Sequence, residues 1–369
     1  MSPETDLAIP DEPLAVSVLT GFLGSGKTTL LRHLLADPGM EETAVIVNEF
    51  GEIGLDHLLV EKATEDTVLL NSGCLCCTVR GDLIAGMRDL FKRRVKREVP
   101  SFQRLVIETT GLADPAPILQ TIMSDPLLSE RFRLDGVIAT VDAVNGMATL
   151  DRHIESVKQA AVADRILLTK SDLADTEALN ALEERLRELN PAAPILRVVQ
   201  GEIAPAELFN AGLYDPTTKT TDVQRWLKAE AYEEHGDLHH PHHGHDHDHG
   251  HHDHGHDPNR HDESIRAFCL SYEKPLDWER FNSWVEMLIT LHGADILRIK
   301  GILNVDGVED PIVIHGVQHV FHPPVRLEAW PDETRSSRIV FIVRDLKPEM
   351  FEHTLKAFNE DSSAPLASA

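Results

Sequence analysis

Residues 14 to 29 read LAVSVLTGFLGSGKTT: an apolar run breaks into a glycine-spaced loop and then into the helix-forming TTLLRHLLA. Gly21, Gly26, Lys27 and Thr28 satisfy G-x-x-x-x-G-K-[ST]. Set between a strand and a helix, the pattern outweighs a chance glycine-rich turn. Glycines at these points let backbone N–H groups turn inward around phosphate oxygens. Gly24, Ser25, Gly26, Lys27, Thr28 and Thr29 are the expected cradle, with the Lys27 ammonium on the β/γ phosphates and the Thr28 hydroxyl able to ligate Mg²⁺.

A loop of this kind belongs on a parallel sheet, and the first half of the chain supplies one. LAVSVLT, TAVIVNEF, RLVIETT, GVIATVD and RILLTK are short β-rich runs, separated by segments mostly long enough for crossover helices. DLIAGMRDLFKRRVKR and DTEALNALEERLREL carry apolar residues at helical spacing, and the basic FKRRVKR reads as the solvated end of its helix. Between residues 235 and 261 thirteen histidines stand among aspartates and glycines. That stretch has almost nothing to bury, so a linker is expected. Beyond it, SIRAFCLSY, ADILRIKGILNV, PIVIHGVQHVF and SRIVFIVRDL read as four strands, with helices over DWERFNSWVEMLITL and PEMFEHTLKAF. The expected organisation is an α/β domain over 1–230, a P-loop NTPase parallel sheet with flanking helices; a His/Asp-rich linker over 231–262; and a smaller C-terminal α+β domain over 263–369.

Composition narrows the partners. With 369 residues, 42% hydrophobic and 26% charged, the chain can build real cores without disulfide staples. A formal net charge of −26 opposes binding to nucleic acid or to an anionic membrane. No run approaches the length of a membrane span, and MSPETDLAIPDEP lacks the basic flank and apolar segment of a signal peptide. A cytoplasmic protein is expected, in which thiols stay reduced.

The base and the metal have their own signals. RILL ends in TKSD, which fits the [NT]KxD guanine-recognition pattern. Thr169 begins it, Lys170 would pack its stem along the ring, and Asp172 would accept hydrogen bonds from the guanine N–H and exocyclic amine. The alternative is a capped helix start. RLVIE runs into ETTG, so Glu108 stands where P-loop enzymes usually carry a metal-orienting aspartate, and Gly111 could offer its N–H to a γ-phosphate. VNEFGEIGLD, with Asn48, Glu49, Glu52 and Asp56, is the expected nucleotide-sensing loop, or else a solvated acidic turn.

NSGCLCC at 71–77 holds three of the four cysteines. Packing alone explains three thiols in four residues poorly, and a catalytic nucleophile needs only one, with none of the usual histidine signatures around it. Metal binding explains the number. Cys74, Cys76 and Cys77 suit Zn²⁺ or another borderline-soft ion and leave a fourth position open. Cys269 stands alone in a strand-like run and reads as core.

GFLGSGKTTLL, VIVNEFGE, GCLCC, ETTGLADP and LLTKSD, in this order, resemble the CobW-like P-loop GTPases, metallochaperones related to the nickel-insertion GTPases of urease and hydrogenase maturation. The resemblance extends through the C-terminal domain. It implies a GTPase that binds Zn²⁺ or Co²⁺ at the C-x-C-C thiols and delivers it to a client metalloprotein. Lys27, Thr28 and Glu108 are then the phosphate and Mg²⁺ residues and Asp172 the base reader. Some members place an acid immediately before NEFGE; Val47 stands there here, and Glu52 remains as a candidate accessory ligand. A homodimer is a further candidate partnership.

Four functional expectations follow. A γ-phosphate that orders the flanking segments could alter thiol geometry. No glutamine or arginine finger is evident, so intrinsic hydrolysis should be slow. Neutral imidazoles in the histidine tract offer several weak, exchangeable metal sites, or the tract is only a solvated linker. His315 and His319 are expected on one face of a strand, followed by His322, in structural or client-contact roles, with metal binding the alternative. The competing classes are a metal buffer or sensor with a regulatory GTP site, and a P-loop small-molecule kinase, which TKSD argues against.

Overall fold

In a computed structural model, which describes residues 10, 12–47, 68–71, 79–209, 265–321 and 323–360, the chain builds two sheets. Leu14–Gly21 forms β1, and all eight of its residues are buried. That is the signature of a central strand covered on both faces. Thr43–Val47 (β2), Val68–Asn71 (β3), Arg104–Glu108 (β4), Phe132–Asp142 (β5), Arg165–Thr169 (β6) and Ile195–Val198 (β7) complete the first sheet. Its order is β3-β2-β4-β1-β5-β6-β7, and every pairing is parallel. The carboxyl ends of the strands therefore all open on one edge, where ligands of such sheets bind.

The crossovers are Lys27–Leu34 (α1), Val79–Val95 (α2), Ala116–Ser124 (α3), Pro126–Arg131 (α4), Gly146–Arg152 (α5), Ile154–Val162 (α6) and Thr176–Leu189 (α7), and Pro205–Leu208 (α8) follows β7. α7 shows how sequence sets a helix. Asp175 caps it by accepting from the Ala178 N–H, and Leu179, Leu182, Leu186 and Leu189 bury one stripe at three- and four-residue spacing.

The second sheet is antiparallel: Ile265–Tyr272 (β8), Ile296–Leu303 (β9), Ile312–Val317 (β10), Val320–Phe321 (β11), Val325–Arg326 (β12) and Ser337–Arg344 (β13), with β9 and β8 on either side of β13. Trp278–His292 (α9) and Pro348–Glu360 (α10) pack on each other beside it, and the Trp284 indole N–H donates to Thr354 Oγ1 at 2.9 Å. Trp284, Phe281, Phe341 and Phe351 are all fully buried in its core.

The two sheets share apolar packing. Ile265, Leu297, Val317 and Ile342 of the second belong to the same core as Leu119, Val137 and Leu186 of the first. A buried charge cluster joins them as well. Asp164 accepts from the Val137 N–H at 2.9 Å and from Lys300 Nζ at 3.0 Å, while the Arg298 guanidinium of β9 reaches both Asp164 and the Val162 carbonyl. Among the described residues no helix is long and apolar enough to cross a membrane.

Three features depart from the sequence expectations, and the first is in FKRRVKR, which is not wholly solvated: Arg94 is buried, its Nε donating to the Phe102 carbonyl at 2.8 Å. VLLN and ILRV form β3 and β7, edge strands too short to stand out as β-rich runs. PIVIHGVQHVF is not one strand but a tight hairpin, with Gly316 opposite Phe321 and Val317 opposite Val320. Gln318 and His319 make its two-residue turn, and Gln318 adopts φ 51°. The two histidines therefore do not share a strand face: His315 is buried in β10, and His319 is exposed in the turn. His322 and the histidine tract lie outside the described residues.

Candidate nucleotide site

β1 delivers the chain to a loop that only glycine can build. Gly24 and Gly26 take φ 73° and 93°, in the left-handed region. At Gly21 a Cβ would lie 2.2 Å from Thr140 Oγ1 and 2.5 Å from the Thr140 carbonyl. Gly26 is the N-cap of α1, whose first turn carries no acidic residue, so the positive end of the helix faces the loop unopposed. Lys27 arches back over the loop, donating to the carbonyls of Gly21 at 2.8 Å and Phe22 at 3.1 Å.

The loop opens on a cavity of about 570 Å³. Of the residues the sequence assigned to nucleotide, Gly24, Gly26, Lys27, Thr28, Thr29, Glu108, Gly111 and Lys170 line it. Thr28 Oγ1 donates to Glu108 Oε1 at 3.3 Å, which brings together a hydroxyl and a carboxylate assigned to Mg²⁺ from separate motifs. This hard oxygen pair fits Mg²⁺, which favours few carboxylates plus phosphate oxygens. Gly111 lies so close to the loop that a Cβ would stand 2.7 Å from the Leu23 backbone nitrogen.

Three assigned residues do not line this cavity. Ser25 is buried with its hydroxyl 2.6 Å from Thr140 Oγ1. Thr169 is buried too, and its hydroxyl donates to the Ser25 carbonyl at 2.7 Å, so it props the loop from below. Asp172 is exposed on the turn after β6, closed by the Leu173 N–H donating to the Lys170 carbonyl at 3.0 Å. Lys170 links the two places, with Nζ 2.8 Å from the Gly24 carbonyl and 2.6 Å from Asp142 Oδ2.

Asp142 and Gln159 were not foreseen. Asp142 ends β5. Burial disfavours its charge, yet Lys170, the Asn145 amide and the Val144 and Asn145 N–H groups together hold its carboxyl below the ordinary carboxylate range. Gln159, buried in α6, donates to the carbonyls of Gly111 at 3.3 Å and Ala113 at 2.9 Å. The VD that closes GVIATVD was a legible signal, because strand ends of such sheets face ligand. An amide inside a helix gives none.

Cys74, Cys76, Cys77, Asn48, Glu49, Glu52 and Asp56 lie outside the described residues, but the strands leading to them do not. Val47 at the end of β2 is in register with Asn71 at the end of β3 and with Glu108 at the end of β4. Cys269 sits in β8 in register with Val340, partly buried against the small apolar cluster that includes Val340.

Residues 15–197 match the CobW/HypB/UreG nucleotide-binding domain and 265–359 the cobalamin synthesis protein CobW C-terminal domain. Across 340 residues the chain is 37% identical to the zinc chaperone YjiA of Escherichia coli K12, spanning 91% of this chain and 96% of that one. The chain belongs to the CobW/HypB/UreG family of P-loop GTPases. A second member of the family, the zinc chaperone CobW of Pseudomonas aeruginosa, is 32% identical over 375 residues, covering 93% of this chain and 91% of the relative. The crystal structure of Zn(II)-bound YjiA GTPase from E. coli matches with a TM-score of 0.67 at 31% identity, over 94% of this chain and 99% of that one.

Proposed function

We propose that this family member is a GTP-hydrolysing metallochaperone that carries Zn²⁺, or Co²⁺, on Cys74, Cys76 and Cys77 and passes it to a client metalloprotein under nucleotide control. The observation that carries the reading is the register of Asn71, Val47 and Glu108. The chain leaving β3 toward the C-x-C-C, the chain leaving β2 toward NEFGE, and the Glu108 carboxylate start from one row of the sheet. Strands lie about 4.8 Å apart, so the row spans about 10 Å. A change at Glu108 is thus two strands from the root of the thiol motif. The zinc-chaperone names of YjiA and CobW support the same reading.

Thr28 and Glu108 are the residues that would hold Mg²⁺, which would neutralise charge on the β and γ phosphates when bound. Lys27 and the N–H groups of the loop bind the phosphates, and Gly111 offers an N–H to the γ-phosphate. Asp172 selects guanine, and Lys170, anchored to Gly24 and Asp142, sets the floor beneath the base. Glu52 is an accessory ligand to the metal cargo.

Thiolate zinc sites hold their ion by about 10–16 kcal/mol in small peptides, so unaided release is slow. Swinging occupancy from full to empty needs about 5.5 kcal/mol between nucleotide states. Withdrawing one ligand, or admitting one from the client, is of that order. The histidine tract adds weak, exchangeable sites that gather metal nearby.

Competition titration of zinc against a chelating indicator tests the reading, using the intact protein and Cys76→Ser with GDP and with a non-hydrolysable GTP analogue. Cys76→Ser should lose the tight site, and the zinc affinity of the intact protein should differ by about 10⁴-fold between nucleotides, the ratio that a swing from full to empty needs. Equal affinities, together with equal transfer rates to an apo-metalloprotein acceptor, would leave only a metal buffer with a regulatory GTP site.

A further inference from the structure

Gln318 occupies a position that disfavours it. It is the first residue of the two-residue turn between β10 and β11, with φ 51°, where a side chain crowds the backbone and glycine is the usual occupant. An observed outlier of this kind is a reason to ask what the side chain does. Its amide crosses from the second sheet to the first and donates to Asp114 Oδ2 at 3.4 Å.

Asp114 sits three residues after Gly111 in ETTGLADP and is the knot of that loop. Its Oδ1 accepts from the Ala116 N–H at 3.0 Å, opening α3, and its Oδ2 also accepts from Lys158 Nζ at 3.1 Å. Gln159, next to Lys158 on α6, holds the carbonyls of Gly111 and Ala113. The loop that brings Gly111 against Leu23 is therefore clamped by α6 on one side and by the β10–β11 hairpin on the other. The hairpin is itself seated: Val317 is buried in the first domain's core, and β10 and β11 pack against α3.

We propose that Gln318 and Asp114 are positioning residues for Gly111, so that the second domain helps set how strongly the first discriminates GTP from GDP. The inference rests on Gly111 reading the γ-phosphate. GDP has no group at that place, so loosening the clamp should weaken the triphosphate and leave the diphosphate nearly untouched. By linkage, a partner that pulls on the hairpin changes GTP affinity, and GTP changes affinity for that partner by the same factor.

The test measures affinity for GDP and for a non-hydrolysable GTP analogue, together with kcat, in the full chain carrying Gln318→Gly, Gln318→Asn or Gln318→Glu. Glycine relieves the backbone and removes the contact, so its melting temperature should be equal to or above that of the parent while GTP preference falls about fivefold, at the lower end of ordinary coupling. Asparagine tolerates the left-handed turn but does not reach Asp114, and should behave like glycine. Glutamate keeps the length and sets a carboxylate against Asp114, and should fall furthest. In all three, kcat should drop while GDP affinity holds.

Gly111→Ala separates the two layers of the argument, since its Cβ would meet the Leu23 backbone. If Gly111→Ala destroys GTP preference and the three Gln318 variants keep it, the positioning role is overturned alone. If Gly111→Ala leaves the preference intact, the underlying reading of Gly111 fails and the proposal falls with it.

Discussion

Thr28 Oγ1 stands 3.3 Å from Glu108 Oε1 across eighty residues of sequence. The contact closes the phosphate loop onto β4 and makes Glu108 testable apart from the rest of the site. Glu108→Gln keeps the shape and removes the charge. It should lower kcat about 100-fold, the usual cost of removing one preorganised electrostatic partner, with GDP affinity little changed. Glu108→Asp withdraws the carboxylate by one methylene and should raise the Mg²⁺ needed for half-maximal rate. Single-turnover phosphate release across a Mg²⁺ titration reads both, and parent-like rates in both variants would remove Glu108 from catalysis.

The Lys170 anchor predicts a different signature. Asp142→Asn breaks the 2.6 Å ion pair that anchors Lys170, the residue proposed to lie under the base, and a charge-assisted hydrogen bond of this kind is worth about tenfold. GDP and GTP should weaken equally, since neither phosphate is touched. Asp172→Asn, in contrast, should shift preference toward xanthosine nucleotides, because an amide donates where the carboxylate accepted. Calorimetric titration with GDP, a non-hydrolysable GTP analogue and xanthosine diphosphate checks this, and unchanged guanosine binding in both variants would place the base elsewhere.

Asp164 ties acid stability to the domain junction. Burial alone would raise its pKa, but Arg298, Lys300 and the Val137 N–H outweigh burial and lower it from 3.8 to about 2. A carboxylate whose folded pKa lies below its unfolded one stabilises the fold fully above the unfolded value. That contribution is lost as pH falls through the folded one. The amount is on the order of 2 kcal/mol. Asp164→Asn should therefore be destabilised at pH 7 and lose much of the parent's decline between pH 4 and 2. Denaturant midpoints across that range measure it, and parallel profiles would argue against the cluster.

Asn190 makes a purely structural prediction. It is fully buried, and its amide donates to the carbonyls of Ala160, Ala161 and Ala163 at 2.9, 3.1 and 2.9 Å, satisfying the end of α6. Asn190→Ala leaves these acceptors without that donor and should cost about 3 kcal/mol, read as a lower urea midpoint with an unchanged slope.

Much of this was legible in residue order. The glycine spacing at 21–26, the ETTG strand end and the lysine of TKSD mark residues at set intervals, and the fold brings Lys27, Thr28, Glu108, Gly111 and Lys170 to one cavity, whereas Asp172 of TKSD does not line it. What escaped notice acts through space. Gln159 and Gln318 are amides whose partners are 48 and 204 residues away, and no local pattern marks them. The hairpin at 318–319 was hidden because Gln-His is not a turn dipeptide. The eleven-residue run PIVIHGVQHVF, which reads as one strand, folds back on itself at a residue with an unfavourable backbone angle.

The Asp164 cluster also bears on how such proteins can be recombined. Arg298 and Lys300 lie on β9, whereas the acid they neutralise sits between α6 and β6 of the first domain. A chimaera that joins this GTPase domain to a relative's C-terminal half must bring both cations with it. Otherwise a buried carboxylate at the seam loses its counter-charges, and the two halves, though each sound, should fail to dock.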